Sequence, residues 1–268
     1  MLRKASRTKM VLSRALVILL GIYVLLAVVT GRPLRSLAFE LIGVIILWAL
    51  YAGRFAFEAP LMLAPEVLWF TVKDRLRPPP CGAVLFTGSS TIAHWMSLAD
   101  DMAPLPVLNR GINGARLNQI THYVDQLVLP HRPRAVVLYA GENDLTGFLG
   151  SRKRSPEEVL AAFQSFCAKI HAHLPVVAVG FISIKPAKAR SVSSPAFQRA
   201  NALVKQWCAS DARIRFIDVV PALLGANGQP LPNVFEVDGV HLNSEGYRIL
   251  ASAVRPCLAG LEDTAHRR

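Results

Sequence analysis

The sequence is poor in acidic residues and in cysteine. Its 268 residues include 18 Asp and Glu against 30 Lys and Arg, and four cysteines. No Cys-x-x-Cys pair occurs among Cys81, Cys167, Cys208 and Cys257, so their spacing does not form a metal motif. Cys167 and Cys208 lie in helical patterns and are expected to be core thiols, whereas the spacing leaves a disulfide between Cys81 and Cys257 open.

The formal net charge of +12 is common among nucleic-acid-binding proteins, but its distribution argues against that class. Residues 1–54 hold 8 basic residues and 1 acidic residue, which leaves 22 basic against 17 acidic residues in the remainder. Basic residues beside apolar runs favour cytoplasmic retention and attraction to anionic lipid. The sequence therefore predicts a membrane, and no nucleic acid, as partner.

Internal repeats and low-complexity tracts are absent, and long apolar runs are confined to residues 15–30 and 37–52. Each run is close to the lower limit for a bilayer span, which takes about 20 apolar residues. We interpret both as membrane segments of an N-terminal anchor, residues 1–54. A cleaved signal peptide, which the basic start favours, is the alternative. A second apolar run and the lack of a small-x-small cleavage site argue against it.

The positions of the basic residues also predict a topology for the anchor. Five Lys and Arg precede the first run, two lie in the link "GRPLRS", and four follow the second run as far as Arg77. The positive-inside rule then favours a helical hairpin with both ends in the cytoplasm of a bacterial cell, on the inner face of its inner membrane. Glu40 supports the alternative of one span followed by an interfacial segment, because an ionised carboxylate is costly at membrane depth.

Residues 55–82 are predicted to be a linker, because "RLRPPPCG" at its end breaks any helix. Strands then alternate with helices over residues 83–262, ahead of a short tail, residues 263–268. This alternation is typical of a parallel sheet covered by helices on both faces, an α/β fold of three layers. The predicted strands are residues 83–87, 107–109, 135–140, 176–184 and 214–219, and the predicted helices begin near residues 90, 115, 155, 196 and 244.

The motifs that carry chemistry follow these strands, where open parallel sheets bind ligands. The first three strands end at "TGSS", "NRGINGAR" and "YAGENDLT", and "EVDGVHLN" precedes the last helix. A serine nucleophile needs a histidine base, which a carboxylate must orient. Ser90 stands at the first turn, where Gly88 permits the bend. Asp238 and His241, three residues apart, complete a predicted catalytic triad.

Two more loops at the same edge offer hydrogen-bond donors for an oxyanion. They are the Gly114 N–H in "NGAR" and the Asn143 amide in "GEND", beside the N–H of Ser90 at a helix N-terminus. Each motif alone is common in unrelated proteins. Four such elements at strand ends rarely coincide without a shared site.

The four blocks together resemble the SGNH hydrolases of the GDSL esterase/lipase superfamily, over about residues 83–261. The matching blocks are "FTGSS" with Ser90 as nucleophile, "NRGING" with Gly114, "GEND" with Asn143, and "DGVH" with Asp238 and His241. The resemblance implies a flavodoxin-like α/β/α sandwich and hydrolysis of esters or thioesters without a metal or other cofactor. Ser89 stands in place of the aspartate that gives the GDSL superfamily its name. In this respect the sequence is similar to the subgroup that has GSS instead of GDS.

Other functions fit these residues less well. A metal site made of Glu142, Asp144, Asp238 and His241 lacks the usual ligand spacing, and a flavin site lacks a long hydroxyl-rich phosphate loop. An O-acyltransferase on the same triad, and a non-catalytic membrane-tethered binding module, remain alternatives. Lys185 is a candidate contact for an anionic or sugar substrate, or else a solvated loop residue.

The sequence thus predicts a membrane-anchored serine esterase. Its substrate is expected to be a small-molecule, lipid or glycan ester. The motifs leave the acyl group, the alcohol and the oligomeric state open, because they describe the chemistry of the reacting atoms alone.

Overall fold

The structure is a computed structural model that describes residues 42–44, 46, 58–80, 82–147 and 151–266, with side chains as far as residue 258 in the last helix. The chain divides into two compact units, Met1–Gly53 and Arg54–Arg268. The apolar run 15–30, and all of the run 37–52 except residues 42–44 and 46, which are helical, lie outside the described residues. Within the described ranges, the search for a helix of sufficient length and apolar character to span a bilayer finds none.

Five parallel strands form one sheet in the second unit. They are β1 (Val84–Gly88), β2 (Val107–Gly111), β3 (Ala135–Tyr139), β4 (Ala178–Ile182) and β5 (Ile214–Ile217). The strand order is β2-β1-β3-β4-β5, which is the flavodoxin-like order. After β1 the chain adds β2 on one side of β1 and then adds β3 on the other side. The cleft between β1 and β3 is therefore the switch point at which such sheets bind ligands.

Helices connect the strands on both sides of the sheet. They are α1 (Ala64–Leu76), α2 (Ser90–Ala93), α3 (Leu98–Met102), α4 (Leu117–His122), α5 (Val124–Leu127), α6 (Glu142–Thr146), α7 (Pro156–His171), α8 (Ser194–Cys208) and α9 (Ser244–His266). Short 3-10 turns cover Pro60–Leu63, Leu129–His131, Lys188–Ser193 and Pro221–Leu223.

Two buried apolar clusters, one on each face of the sheet, hold these layers together. Alternate strand residues such as Leu85, Val136 and Phe181 pack with α4, α7 and α8. Their neighbours, such as Phe86 and Val137, pack with α9 and the segment around α2 and α3. Because successive side chains of a strand point to opposite faces, the near-continuous apolar strands are those of a sheet buried on both sides. The predicted parallel sheet with flanking helices is confirmed.

The predicted helix from residue 115 to about 129 is divided in the structure into α4, α5 and a 3-10 turn. Thr121 Oγ1 donates to the carbonyl of Leu117 at 2.8 Å, a local side-chain bond that bends helices. Pro130 then removes a backbone donor at the end of the segment. The spacing of apolar residues in the sequence reveals neither the Thr121 hydrogen bond nor the effect of Pro130.

The expected linker, residues 55–82, contains α1 and its preceding 3-10 turn. Leu63 and Val67 are buried in the apolar cluster next to α4, and the Asp74 carboxylate of α1 pairs with the buried Arg110 of β2. The prolines after Arg77 do end the helix, as expected, because α1 finishes at Leu76. This segment is therefore packed on the sheet.

The cysteines follow the expectation where the structure describes them. Cys167 and Cys208 are buried free thiols, so their prediction as core residues is confirmed. Burial raises the pKa of both thiols, that of Cys208 to about 12, which makes them poor nucleophiles. Cys257 is also a free thiol, and Cys81 lies outside the described residues.

Candidate active site

The turn after β1 presents Ser90 as the first residue of α2. Gly88 ends β1 with a φ of 131°, and a β carbon there would lie 1.9 Å from the carbonyl oxygen of Tyr139. Only glycine has both this backbone conformation and this close approach to β3. The bend expected at Gly88 therefore has its physical reason in the positive φ and in the close approach to β3.

Ser89 stands where the resemblance leads one to expect aspartate, and its main chain stabilises the turn. Its N–H donates to the carbonyl of Tyr139 at 2.9 Å, and its own carbonyl accepts the N–H groups of Ile92 and Ala93 at 3.0 and 3.1 Å. The side chain is buried. Backbone hydrogen bonds of Ser89 thus connect the end of β1 to both β3 and α2.

Ser90, His241 and Asp238 lie in one hydrogen-bonded chain, although 151 residues separate the serine from the histidine. The Ser90 hydroxyl is 3.0 Å from His241 Nε2, and His241 Nδ1 contacts Asp238 Oδ2. The other carboxylate oxygen, Oδ1, accepts the N–H groups of Val240 at 2.9 Å and His241 at 3.0 Å. The structure therefore brings together the three residues that the sequence predicts as a triad.

The environment of Asp238 keeps this carboxylate ionised. Partial burial on its own would raise the pKa of Asp238, but the hydrogen bonds from the Val240 N–H and from the ring and N–H of His241 outweigh it. They lower the pKa to about 2. An ionised Asp238 favours the tautomer with the proton on Nδ1, so that Nε2 faces Ser90 as an acceptor.

Contacts between α9 and the nucleophile segment hold the two halves of this chain together. The Tyr247 hydroxyl of α9 donates to the carbonyl of Thr91 at 3.0 Å. The Tyr247 ring also stacks on Trp95, with ring centroids 5.7 Å apart. On the outer side, the exposed ring of His94 lies against His241, with centroids 4.8 Å apart. His241 thus contacts His94 just after α2, and Tyr247 holds α9 against the nucleophile segment.

Hydrogen bonds and close contacts also connect the loops that carry the two candidate oxyanion donors. Gly114 has a positive φ of 69°, and the Asn143 side chain donates from Nδ2 to the carbonyl of Ala115 at 3.1 Å. Asn109, in β2, donates from its amide to the carbonyl of Ile92 at 2.7 Å. The ends of β1, β2 and β3, with Ser90, Gly114 and Asn143, therefore form one connected edge.

A buried ion-pair network at this edge was missed by the sequence analysis. Glu142 Oε2 accepts hydrogen bonds from the Tyr139 hydroxyl at 2.6 Å and from Lys185 Nζ at 3.2 Å, and Oε1 lies 2.9 Å from Arg190 Nη1. Burial on its own would raise the pKa of Glu142, but the charges of Lys185 and Arg190 outweigh it and lower the pKa. The network therefore holds an ionised carboxylate directly before Asn143.

Lys185 contacts neither solvent nor an open substrate site. Its side chain is 1% exposed, and Nζ donates at 2.7 Å to the carbonyl of Val240, between Asp238 and His241. Both expectations for Lys185 are wrong, because the partner of its charge is a buried glutamate 43 residues away in sequence. The sequence did contain one signal for this ion pair. Glu142 and Lys185 carry opposite charges and follow β3 and β4, which are adjacent strands.

Arg190 connects the same network to the candidate oxyanion amide. Its Nη1 lies 3.4 Å from Asn143 Oδ1 and 2.9 Å from Glu142 Oε1. This contact fixes the amide with its oxygen towards the guanidinium and its nitrogen towards Ala115. Arg190 was not a candidate in the sequence analysis.

The acidic residues that were considered as metal ligands have other partners. Glu142 belongs to the ion-pair network, and the buried Asp144 accepts the Leu117 N–H at 3.1 Å and lies 3.7 Å from Arg116 Nε. Burial raises the pKa of Asp144 despite the nearby charge of Arg116. Among the residues with described side chains, there is no group of three or more His, Cys, Asp or Glu that could hold a metal ion.

Comparison with known proteins identifies the family. Residues 81–249 match the model of the GDSL-like lipase/acylhydrolase family. Because this match covers more than half of the chain, the protein belongs to that family. The resemblance seen in the four blocks is confirmed, and the protein is a hydrolase that acts on ester bonds.

Solved structures with the same fold include a GDSL-like lipase from Bacteroides thetaiotaomicron. It is 21% identical, with a TM-score of 0.60 over 72% of this chain and 97% of that chain. A carbohydrate esterase of family 3 from Talaromyces cellulolyticus is 19% identical, with a TM-score of 0.53 over 68% and 98%. A family 3 carbohydrate esterase from Clostridium thermocellum is 17% identical, with a TM-score of 0.54 over 69% and 100%. No match is found among curated proteins.

Proposed function

We propose that this protein is a membrane-anchored serine esterase that hydrolyses carboxylic esters or thioesters through an acyl-enzyme. The observation that carries the proposal is the chain of contacts from the Ser90 hydroxyl, 3.0 Å from His241 Nε2, to Asp238 beyond Nδ1. A hydroxyl in this arrangement can lose its proton to the imidazole while it attacks an acyl carbon.

The proposed reaction has two halves. Ser90 Oγ attacks the acyl carbon as His241 accepts its proton, and the N–H groups of Ser90 and Gly114 and the Asn143 amide stabilise the resulting oxyanion. His241 then protonates the departing alcohol or thiol, which leaves an acyl group on Ser90. Water attacks this ester by the same route, so the acid product is released and Ser90 recovers its proton.

The membrane anchor and the domain limits are part of the proposal. Residues 1–54 would form the anchor and residues 83–262 the hydrolase domain. Support comes from the two apolar runs and the basic residues beside them. The excess of basic residues outside the link favours the hydrolase domain on the cytoplasmic side.

Exposed apolar residues close in sequence to the site favour a substrate with an apolar portion. Met96, Val192 and Val237 are large apolar residues with exposed side chains. Each lies within two residues of a site residue, His94, Arg190 or Asp238 respectively. We propose a small-molecule, lipid or glycan ester as the substrate. Two of the similar structures are of carbohydrate esterases, which makes acetylated sugars a second substrate class to assay.

Replacement of the nucleophile tests the proposal. Ser90→Ala should lower kcat on p-nitrophenyl esters by roughly three to six orders of magnitude, because the triad acts as a unit, and should abolish labelling by a fluorophosphonate probe. Ser89→Ala is the matched control, one residue away, and should retain labelling. If Ser89→Ala were the inactive variant instead, the assignment of the nucleophile would be wrong.

A further inference from the structure

The solvent-facing side of α1 is apolar. Leu68, Trp69, Val72 and Leu76 are 64%, 63%, 37% and 75% exposed, and we call these four residues the outer stripe. At 3.6 residues per turn their spacing places them on one side of the helix. Leu61 and Met62, in the 3-10 turn before α1, are also exposed. The apolar surface thus continues beyond the helix start.

The opposite side of α1 already satisfies the packing of this helix. Val67 is buried, Phe70 packs against the same apolar cluster, and Asp74 pairs with Arg110 of the sheet. The outer stripe is therefore not needed to attach α1 to the domain. Contiguous exposed apolar surface of this kind marks a site of contact with another molecule or with a membrane.

Basic residues flank the outer stripe on both sides. Lys73 lies one turn after Trp69, and Arg75 lies two turns after Leu68, on the other edge; both are exposed. Arg77 follows at the end of the helix. Of the two acidic residues of α1, Asp74 faces Arg110, which leaves Glu66, in the first turn, as the exposed one.

We propose that the outer stripe of α1 lies on an anionic lipid surface. An apolar face bordered by Lys and Arg is the pattern of helices that lie in the membrane interface, with the apolar side chains about 5–10 Å below the head groups. Charge complementarity favours lipid over a second copy of this chain, because two copies would bring Lys73 and Arg75 close to their own counterparts. The inference also draws on the proposed membrane anchor, because the apolar runs at residues 15–30 and 37–52 precede α1 in the sequence.

The segment before α1 is attached to the start of α4, which follows β2: the Gln119 amide donates to the carbonyl of Ala59 at 3.1 Å, and Arg116 lies 3.5 Å from Glu58. Arg116 in turn lies 3.7 Å from Asp144, the neighbour of Asn143. The inference goes beyond the proposed catalytic function and does not depend on the triad.

Quenching of Trp69 fluorescence by brominated lipids tests the proposal on the full chain. The protein would be reconstituted into vesicles of phosphatidylcholine and phosphatidylglycerol that carry bromine at the 6,7 or the 11,12 positions of the acyl chain. The difference between the wild-type and Trp69→Phe spectra isolates Trp69 from Trp48, Trp95 and Trp207. We expect at least a twofold loss of Trp69 emission, and a larger loss with the shallower bromines.

A matched control places tryptophan on the other face of the domain. Ser252 is an exposed residue of α9, which packs on the opposite face of the sheet from α1. The double variant Trp69→Phe, Ser252→Trp should show no quenching above the Trp69→Phe background. Lys73→Gln with Arg75→Gln should reduce the Trp69 quenching and remove its dependence on phosphatidylglycerol.

The other outcomes overturn the proposal. An unquenched Trp69 with the red-shifted emission of a water-exposed indole would show that the outer stripe is bare. An unquenched, blue-shifted Trp69 would show that protein covers it, and loss of chemical cross-links between chains in Trp69→Lys would identify a second copy. Hydrolysis of p-nitrophenyl acetate by the same vesicles tests the proposed esterase separately, so failure of one does not affect the other.

Discussion

The side chain of Asn143 has its orientation fixed by two neighbours. Its oxygen lies 3.4 Å from Arg190 Nη1 and its nitrogen donates to the carbonyl of Ala115 at 3.1 Å. An amide nitrogen carries two N–H groups, and this donation uses one of them. We assign the second to the oxyanion, where a donor held in place before the reaction lowers the barrier without further rearrangement.

Asn143→Ala should therefore lower kcat and leave KM nearly unchanged. The expected loss is about 2.7–4 kcal/mol of transition-state stabilisation, because the charge that the amide meets forms only in the transition state. Steady-state kinetics on a p-nitrophenyl ester measures both constants. A rise in KM with an unchanged kcat would make Asn143 a substrate-binding residue instead.

Among the structural elements, the loops after β4 and before α9 depend on a shared buried charge. Lys185 Nζ reaches Glu142 at 3.2 Å and the Val240 carbonyl at 2.7 Å. The N–H of Ala189 adds a hydrogen bond to the Gly239 carbonyl at 3.1 Å. Lys185 thus holds the loop that presents Asp238 and His241 through the Val240 carbonyl, and it does not contact the reacting atoms. Lys185 is a positioning residue in this interpretation.

Lys185→Met should destabilise the protein and lower kcat. Loss of the Lys185 ammonium leaves the buried Glu142 carboxylate with fewer positive charges beside it. Loss of one partner of a buried ion pair costs about 3–5 kcal/mol of unfolding free energy. The Val240 carbonyl also loses its donor, so the loop with His241 becomes less ordered. Urea unfolding and the pH profile of kcat/KM measure the two effects separately.

The double variant Lys185→Met, Glu142→Gln distinguishes positioning from simple stability. It removes the buried carboxylate charge together with Lys185, and Arg190, which is partly exposed, can be hydrated when its ion pair is lost, so we expect part of the unfolding free energy to return. The activity should stay low, because methionine still offers no donor to the Val240 carbonyl. Recovery of activity in parallel with stability would contradict the positioning role.

For the molecule as a whole, the sequence predicted the strand segments, the parallel sheet and the proximity of Ser90, Asp238 and His241. Those features depend on local patterns: apolar strands buried on both faces, a glycine at a tight turn, and motifs directly after strands. Parallel strands bring such motifs to one edge whatever their distance in sequence. Ser90 and His241 could therefore be paired before their contact was known.

The features that were missed depend on pairings between distant segments. Lys185 has an ordinary loop sequence around it, and only the position of Glu142 makes it a buried ion pair. The segment around α1 reads as a linker because "RLRPPPCG" at its end breaks any helix, and apolar residues occupy both sides of α1. Val67 packs in the core, whereas the residues of the outer stripe are exposed. No sequence period distinguishes these two faces.

The distribution of basic residues and the surface of α1 both predict a hydrolase domain on the cytoplasmic side of the membrane. The basic residues before the first apolar run and after the second outnumber Arg32 and Arg35 in the link, so the positive-inside rule favours both ends in the cytoplasm. Lys73 and Arg75, which flank the outer stripe of α1, also fit the inner leaflet, which carries anionic lipid on its cytoplasmic surface. We expect a fluorescent protein fused after Arg268 to fluoresce in cells. Alkaline phosphatase fused at the same point should be inactive, because that enzyme needs the oxidising compartment outside the inner membrane. Active phosphatase in intact cells would mean an exported hydrolase domain, and would rule out the hairpin in favour of one span followed by an interfacial segment.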